Sequence, residues 1–139
     1  KNIGDNKNAQ TRFLQIGLAK GQAPKATGKD KTSVIVELPT DRPGTLLEML
    51  EQFAVRGVNL SRIESRPIGD QLGRYRFNID IEGHIEDAAV ADALKGLHRF
   101  SPKVIFLGSY ARADKKKSVH TGNNTNAAFA AAEKWIAKL

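Results

Sequence analysis

Cysteine is absent from these 139 residues, so neither a disulfide nor a thiolate metal site can contribute. That composition suits a reducing compartment, and a cytoplasmic location is the expectation. No apolar run reaches the roughly 18 to 20 residues that a membrane-spanning helix needs, and the start at Lys1 has no signal-like apolar stretch. A soluble protein with no membrane partner is therefore expected, and a first residue that is not methionine reads as a piece of something longer. Histidine is scarce as well. His84, His98 and His120 have no i, i+4 pairing and no carboxylate set around them, so no metal site and no cofactor is expected. His84, after Gly83, reads as a turn residue and His98 as a helix-face residue. No nucleophile stands in a recognisable activating context.

What is plentiful is positive charge, and its distribution decides what it means. The formal net charge is +7; residues 1–31 carry +5 and residues 112–139 carry +4, whereas residues 32–111 carry −2. The basic excess lies in the ends, so the middle lacks the footprint of a phosphate-backbone binder and no nucleic-acid partner is expected. Lys115-Lys116-Lys117 reads as solvated tail. With 40% hydrophobic and 27% charged residues, the chain has the composition of a soluble globular protein, and its length supports one domain with flanking segments.

Residues 20–31 (KGQAPKATGKDK) read as a linker, and residues 11–18 (TRFLQIGL) before them as a strand without a partner. From Ser33 the periodicities become regular. Residues 33–38 (SVIVEL) form a β-branched run stopped by Pro39 and the turn Asp41-Arg42-Pro43-Gly44. Leu46, Leu47, Leu50, Phe53 and Ala54 make one helical stripe over residues 45–56, closed by Gly57. Residues 58–68 read as a strand whose Pro67 places its end at an edge. After the turn at residues 69–73, Tyr75, Phe77, Ile79 and Ile81 alternate with polar residues, so that face should be buried under helices and Asp80 should point outward. Residues 85–100 return to helical spacing and Pro102 ends them; residues 104–110 (VIFLGSY) are a fourth strand. The fold class is α+β: a ferredoxin-like βαββαβ unit, a four-stranded antiparallel sheet with two helices on one face, plus a C-terminal helix over residues 127–139.

Two segments carry candidate chemistry. The turn Asp41-Arg42-Pro43-Gly44-Thr45-Leu46 leaves the first amides of a helix unpaired and positively polarised, an anion site in principle, although every strand-to-helix turn has such a terminus. In Asn59-Leu60-Ser61-Arg62-Ile63-Glu64-Ser65-Arg66-Pro67, residues Arg62, Glu64 and Arg66 share one strand face, which by itself reads as a solvated surface with cross-strand ion pairs.

Glu64-Ser65-Arg66-Pro67 closely resembles the ESRP element of the ACT regulatory domain of prephenate dehydratases. Arg42-Pro43-Gly44-Thr45-Leu46-Leu47 resembles that family's loop-and-helix element, and Tyr75-Arg76-Phe77 with Asp80 and Glu82-Gly83-His84 resembles its third strand, in the family's order from Ser33 to Arg112. Thr11-Arg12-Phe13 is similar to the element that closes the family's catalytic domain, where the threonine serves dehydration of prephenate to phenylpyruvate, a carbon–oxygen lyase reaction. The resemblance thus divides the chain into a terminal catalytic-domain strand (1–19), a linker (20–31), an ACT domain (32–112) and a basic tail with a helix (113–139). With the rest of that catalytic domain lacking, Thr11 is a remnant and no activity is expected of this chain.

The implied function is allosteric feedback regulation of phenylalanine biosynthesis by L-phenylalanine, bound between ACT domains of a homodimer or tetramer. Amides of Gly44, Thr45 and Leu46, after Pro43, would take the carboxylate. Asn59 and carbonyls of a second subunit would take the ammonium, Leu46, Leu47, Leu60 and Ile63 the ring, and Glu64, Ser65, Arg66 and Pro67 complete the site. Ring burial would contribute about 2 to 3 kcal/mol, for net affinity near micromolar. Two alternatives share the topology: an RNA-binding module, which would need aromatics on the open sheet face, and an acylphosphatase-like enzyme, which would need a phosphate-cradling loop.

Overall fold

The computed structural model describes residues 11, 13–17, 24–39, 42–69, 74–118 and 120–139. The elements follow the order β1 (Asp30–Glu37), α1 (Thr45–Ala54), β2 (Leu60–Pro67), β3 (Tyr75–Glu82), α2 (Ala88–Phe100), β4 (Lys103–Ala111), a short 3-10 turn (Gly122–Asn124) and α3 (Asn126–Ile136). The four strands form one antiparallel sheet in the order β2-β3-β1-β4, the ferredoxin-like arrangement the periodicities require. Asp41 and the residue 70–73 turn lie outside the described residues.

Alternation sorts the sheet into two faces. Val34 and Val36 of β1 stand beside Phe77, Ile79 and Ile81 of β3, and all five are buried with Met49 and Phe53 of α1 and Ala89, Val90, Ala93 and Leu97 of α2. Burying this stripe is what fixes the strand register, since a one-residue slip would turn every side chain over. Thr32 on the same face is buried and satisfied, its hydroxyl donating to the Gly83 carbonyl at 2.9 Å and lying 2.7 Å from Ser109 Oγ. The opposite face is polar. Glu64 lies 2.7 Å from Arg62 and 3.0 Å from Arg66, so the charged row on β2 is an ion-pair ladder.

Several expectations need correction. Asp30 and Lys31 belong to β1 rather than to the linker; Asp30 can enter the sheet, although charged and buried, because Thr27 donates to it from its amide at 2.7 Å and its hydroxyl at 2.8 Å. Residues 11 and 13–17 are not strand, and Phe13 and Ile16 are exposed; Arg12 and Leu18 lie outside the described residues. The inward face of α1 is Thr45, Met49 and Phe53, while Leu46 and Leu47 are exposed. Tyr75 is on the expected face but 44% exposed, at the end of β3. Asp80 points to the open face yet is buried, accepting from Ser33 Oγ at 2.6 Å. Helix α2 begins at Ala88, because Asp87 turns its carboxylate back to accept from the His84 amide at 2.8 Å. The C-terminal helix begins at Asn126, whose Oδ1 accepts from the Ala88 amide at 2.8 Å; Phe129 packs on the core, while Trp135, Ile136 and Leu139 stay exposed.

Candidate functional site

Chain direction places the two candidate segments at opposite ends of the sheet. Strand β1 leads from Asp30 up to Glu37, α1 runs back down, and β2 climbs again, so Gly44 sits at the Glu37 end and Asn59 at the Asp30 end. The ten residues of α1 span about 15 Å between them. The expected carboxylate group (Pro43, Gly44, Thr45, Leu46) and the expected ammonium group (Asn59) are therefore not brought together within one chain.

At the upper end, Gly44 is the N-cap with φ +89°, and no side chain caps the first turn. A side chain there would be strained by that backbone angle, so glycine fits the position. Thr45 does not take over the capping: its hydroxyl donates to the Arg42 carbonyl at 3.0 Å and its side chain is buried. The Thr45 amide also donates to the Arg42 carbonyl, at 3.3 Å, while the amides that follow it in the first turn keep their partial positive charge. Leu46 is 42% exposed, Leu47 59% and Ile63 43%, giving α1 and the edge strand β2 an apolar surface. Leu60 is half-buried, packed against the core, and Glu64, Ser65, Arg66 and Pro67 follow on β2 toward the Glu37 end. Thr11 is exposed.

At the lower end, Asn59 is tied to β3 twice. Its carbonyl accepts from the Glu82 amide at 2.9 Å, and its Nδ2 donates to Glu82 Oε2 at 3.0 Å. Glu82 Oε1 in turn accepts from the Arg112 guanidinium at 2.8 Å, and Arg112 grips Asp114 through two bonds of 2.8 and 2.9 Å. The Asn59 hydrogen bond and the Arg112 charge hold the Glu82 carboxyl below its ordinary range against the effect of burial. Arg112 brings Asp114 down to about 2 and is itself held more firmly protonated. Glu82 and Arg112 were not among the expected site residues, since nothing in the order of residues places position 112 beside position 82.

Residues 32–99 match the family model for the ACT domain. Residues 32–99 belong to the ACT-domain family. Around this ACT domain the similarity extends to prephenate dehydratases. The enzyme of Amycolatopsis methanolica is 42% identical over 137 residues, covering 99% of this chain and 45% of that protein. That of Mycobacterium marinum is 51% identical over 108 residues, covering 78% and 34%. Among solved structures, the prephenate dehydratase of Arthrobacter aurescens in complex with L-Phe superposes with a TM-score of 0.81 at 59% identity, over 85% of this chain and 39% of that one. The chain spans less than half the length of each of these relatives. Among the described residues no helix of the ACT domain or its flanks is long and apolar enough to cross a membrane, and no group of three or more ligating side chains could hold a metal ion.

The carboxyl pairings at this end of the sheet predict the chain's acid response. Glu82 and Asp114 are more acidic folded than unfolded, so the stability they lend is fully present above their ordinary values of 4.5 and 3.8. It is lost as pH falls through the folded values, toward about 2 for Asp114. Denaturant melts followed by circular dichroism should show stability dropping across this window, with a shallower drop in Arg112→Met, which removes the partner of both carboxylates. An identical drop in the variant would mean that Arg112 does not govern them.

Proposed function

We propose that this chain is the regulatory part of a prephenate dehydratase, and that its ACT domain senses L-phenylalanine at a seam between two copies. The observation that carries this reading is the placement of the two half-sites at opposite ends of α1. A two-fold arrangement sets the upper end of one copy against the lower end of the other, so that first-turn amides and Asn59 meet around one zwitterion. The exposed leucines and Ile63 supply the apolar wall that a benzyl group needs. The L-Phe complex of the Arthrobacter aurescens relative supports the ligand.

Because the ligand would touch both copies, it favours the paired arrangement over any other in proportion to its difference in affinity for the two. In a full-length enzyme this is feedback inhibition by the end product of the pathway that prephenate enters. An RNA-binding reading is disfavoured because Phe77 is buried under the helices, leaving β3 no stacking platform at its centre.

Calorimetry with sizing is the test. The chain should bind L-phenylalanine with affinity near micromolar, one per protomer, and shift toward the dimer. Gly44→Val and Asn59→Ala should each lose tenfold or more, about the value of one charge-assisted hydrogen bond. Mixing the two variants is the sharper arm: with random pairing, about a quarter of the sites recover unaltered affinity if each site is built from two copies. No recovery on mixing, or no L-phenylalanine binding by the unaltered chain, overturns the proposal.

A further inference from the structure

The hydrogen-bond chain at the lower end of the sheet carries a consequence for specificity. Asn59 Nδ2 is engaged by Glu82 Oε2 at 3.0 Å, so the amide is held with its nitrogen toward β3 and its Oδ1 on the other side. An amide turned that way is an acceptor, suited to an ammonium and not to a carboxylate. Glu82 itself is a half-buried carboxylate, and the backbone bond from its amide to the Asn59 carbonyl keeps the two residues in register across the β2–β3 pair. Arg112 donates to Glu82 Oε1 at 2.8 Å and shares its own charge with Asp114 through two further bonds, so these three groups sum to one negative charge, with Lys31 also acting on Glu82 from β1.

We propose that Glu82 is the positioning and specificity-determining residue for the ligand's amine. It fixes the Asn59 amide as an acceptor and supplies the negative charge that makes the site prefer an α-amino acid to the same acid without the amine. This deepens the phenylalanine-sensor reading and rests on it. The recognised chemistry is an ammonium one carbon from a carboxylate: the carboxylate goes to the α1 amides of one copy, the ammonium to the Asn59–Glu82 pair of the other. Arg112 keeps Glu82 ionised and oriented without approaching the ligand.

The experiment compares L-phenylalanine with 3-phenylpropionate, which has the same ring and carboxylate and no amine, by calorimetry on the full chain. The unaltered protein should prefer L-phenylalanine by about ten- to a hundredfold, the range of one charged hydrogen bond. In Glu82→Gln, nearly the same size but neutral, L-phenylalanine should weaken about tenfold or more while 3-phenylpropionate binds as before, so the preference collapses. Glu82→Asp, which keeps the charge, should restore part of it. Circular dichroism melts identify any variant that fails to fold, and Glu82→Asp then carries the comparison, with a preference intermediate between that of the unaltered protein and none. Equal weakening of both ligands, or an unchanged preference, overturns the role of Glu82 and leaves the sensor reading standing. Binding of neither ligand by the unaltered protein overturns both.

Discussion

Truncating Phe53 to alanine is expected to cost about 3 to 5 kcal/mol of folding stability, a large share of the roughly 5 to 15 kcal/mol available to a domain. The ring is 1% exposed and sits between α1 and the sheet with Met49, Ile79 and Leu97. Its removal leaves a cavity whose walls are strands and helices already fixed by their own hydrogen bonds, so the site cannot collapse to fill it. The residue also closes α1: the Phe53 carbonyl accepts from the Val58 amide at 3.1 Å while Gly57 donates to the Ala54 carbonyl at 3.0 Å, and Val58 is buried beside the ring. Anchoring this end of the helix is what delivers the chain to Asn59. Urea unfolding should show the loss as a lower midpoint with an unchanged slope. Leu47→Ala on the exposed side of the same helix should stay within about 0.5 kcal/mol and instead weaken L-phenylalanine binding. A Phe53→Ala loss below about 1 kcal/mol would mean that α1 is held by other contacts.

The contrast between Phe53 and Leu47 also shows where the sequence was readable. The four strands and two helices were legible because their periods are clean, above all in β3, where Phe77, Ile79 and Ile81 alternate with polar partners and are all buried. Helix α1 was legible as a helix but not in its rotation. Leu46, Leu47, Leu50, Phe53 and Ala54 make one acceptable stripe, and Thr45, Met49 and Phe53 another centred about 100° round the axis; only packing decides, and it chose the second. Hydrophobicity pointed to the first because the exposed leucines are apolar for a reason outside a single chain's core, consistent with a surface meant to be covered. Asp30 misled in the opposite sense, since a buried carboxylate reads as linker until its partners Thr27 and the ladder to Ala111 are seen.

The candidate site was legible by element, while its geometry was hidden. Gly44 and Asn59 announce themselves through resemblance, and a βαβ connection already implies that the start and end of its helix lie at opposite ends of the sheet. The Glu82–Arg112 pair could not be found that way, because it depends on the lower ends of β3 and β4 flanking β1, which is a matter of register. One signal was available. Asn59 immediately precedes a strand whose antiparallel partner ends at Glu82, so the hairpin alone places an acid near the amide.

Gly83→Ala should be comparably severe, about 3 to 5 kcal/mol, and for a reason that periodicity cannot reveal. Gly83 has φ +118°, a backbone region that side chains rarely adopt, where it links β3 to α2. It also has no room. An added Cβ would lie 2.9 Å from Asp87 Oδ2, 2.9 Å from Val90 Cγ2 and 3.1 Å from His120 Nε2. The Asp87 oxygen is held by the His84 amide and Val90 is fully buried, so neither can withdraw without breaking something else. Gly69→Ala separates the two costs, because Gly69 has φ +85° with nothing within 4 Å of an added Cβ; it should lose only the strain, about 1 to 3 kcal/mol. The effect should reach the ligand as well. Gly83 donates to the Asp30 carbonyl at 2.9 Å and its own carbonyl accepts from Thr32, so displacing it moves the neighbouring Glu82 away from Asn59. Chemical melts and the L-phenylalanine to 3-phenylpropionate affinity ratio, measured on the same Gly83→Ala sample under folding conditions, should fall together. A destabilised protein that keeps its full preference would show that the turn holds the fold without holding Glu82.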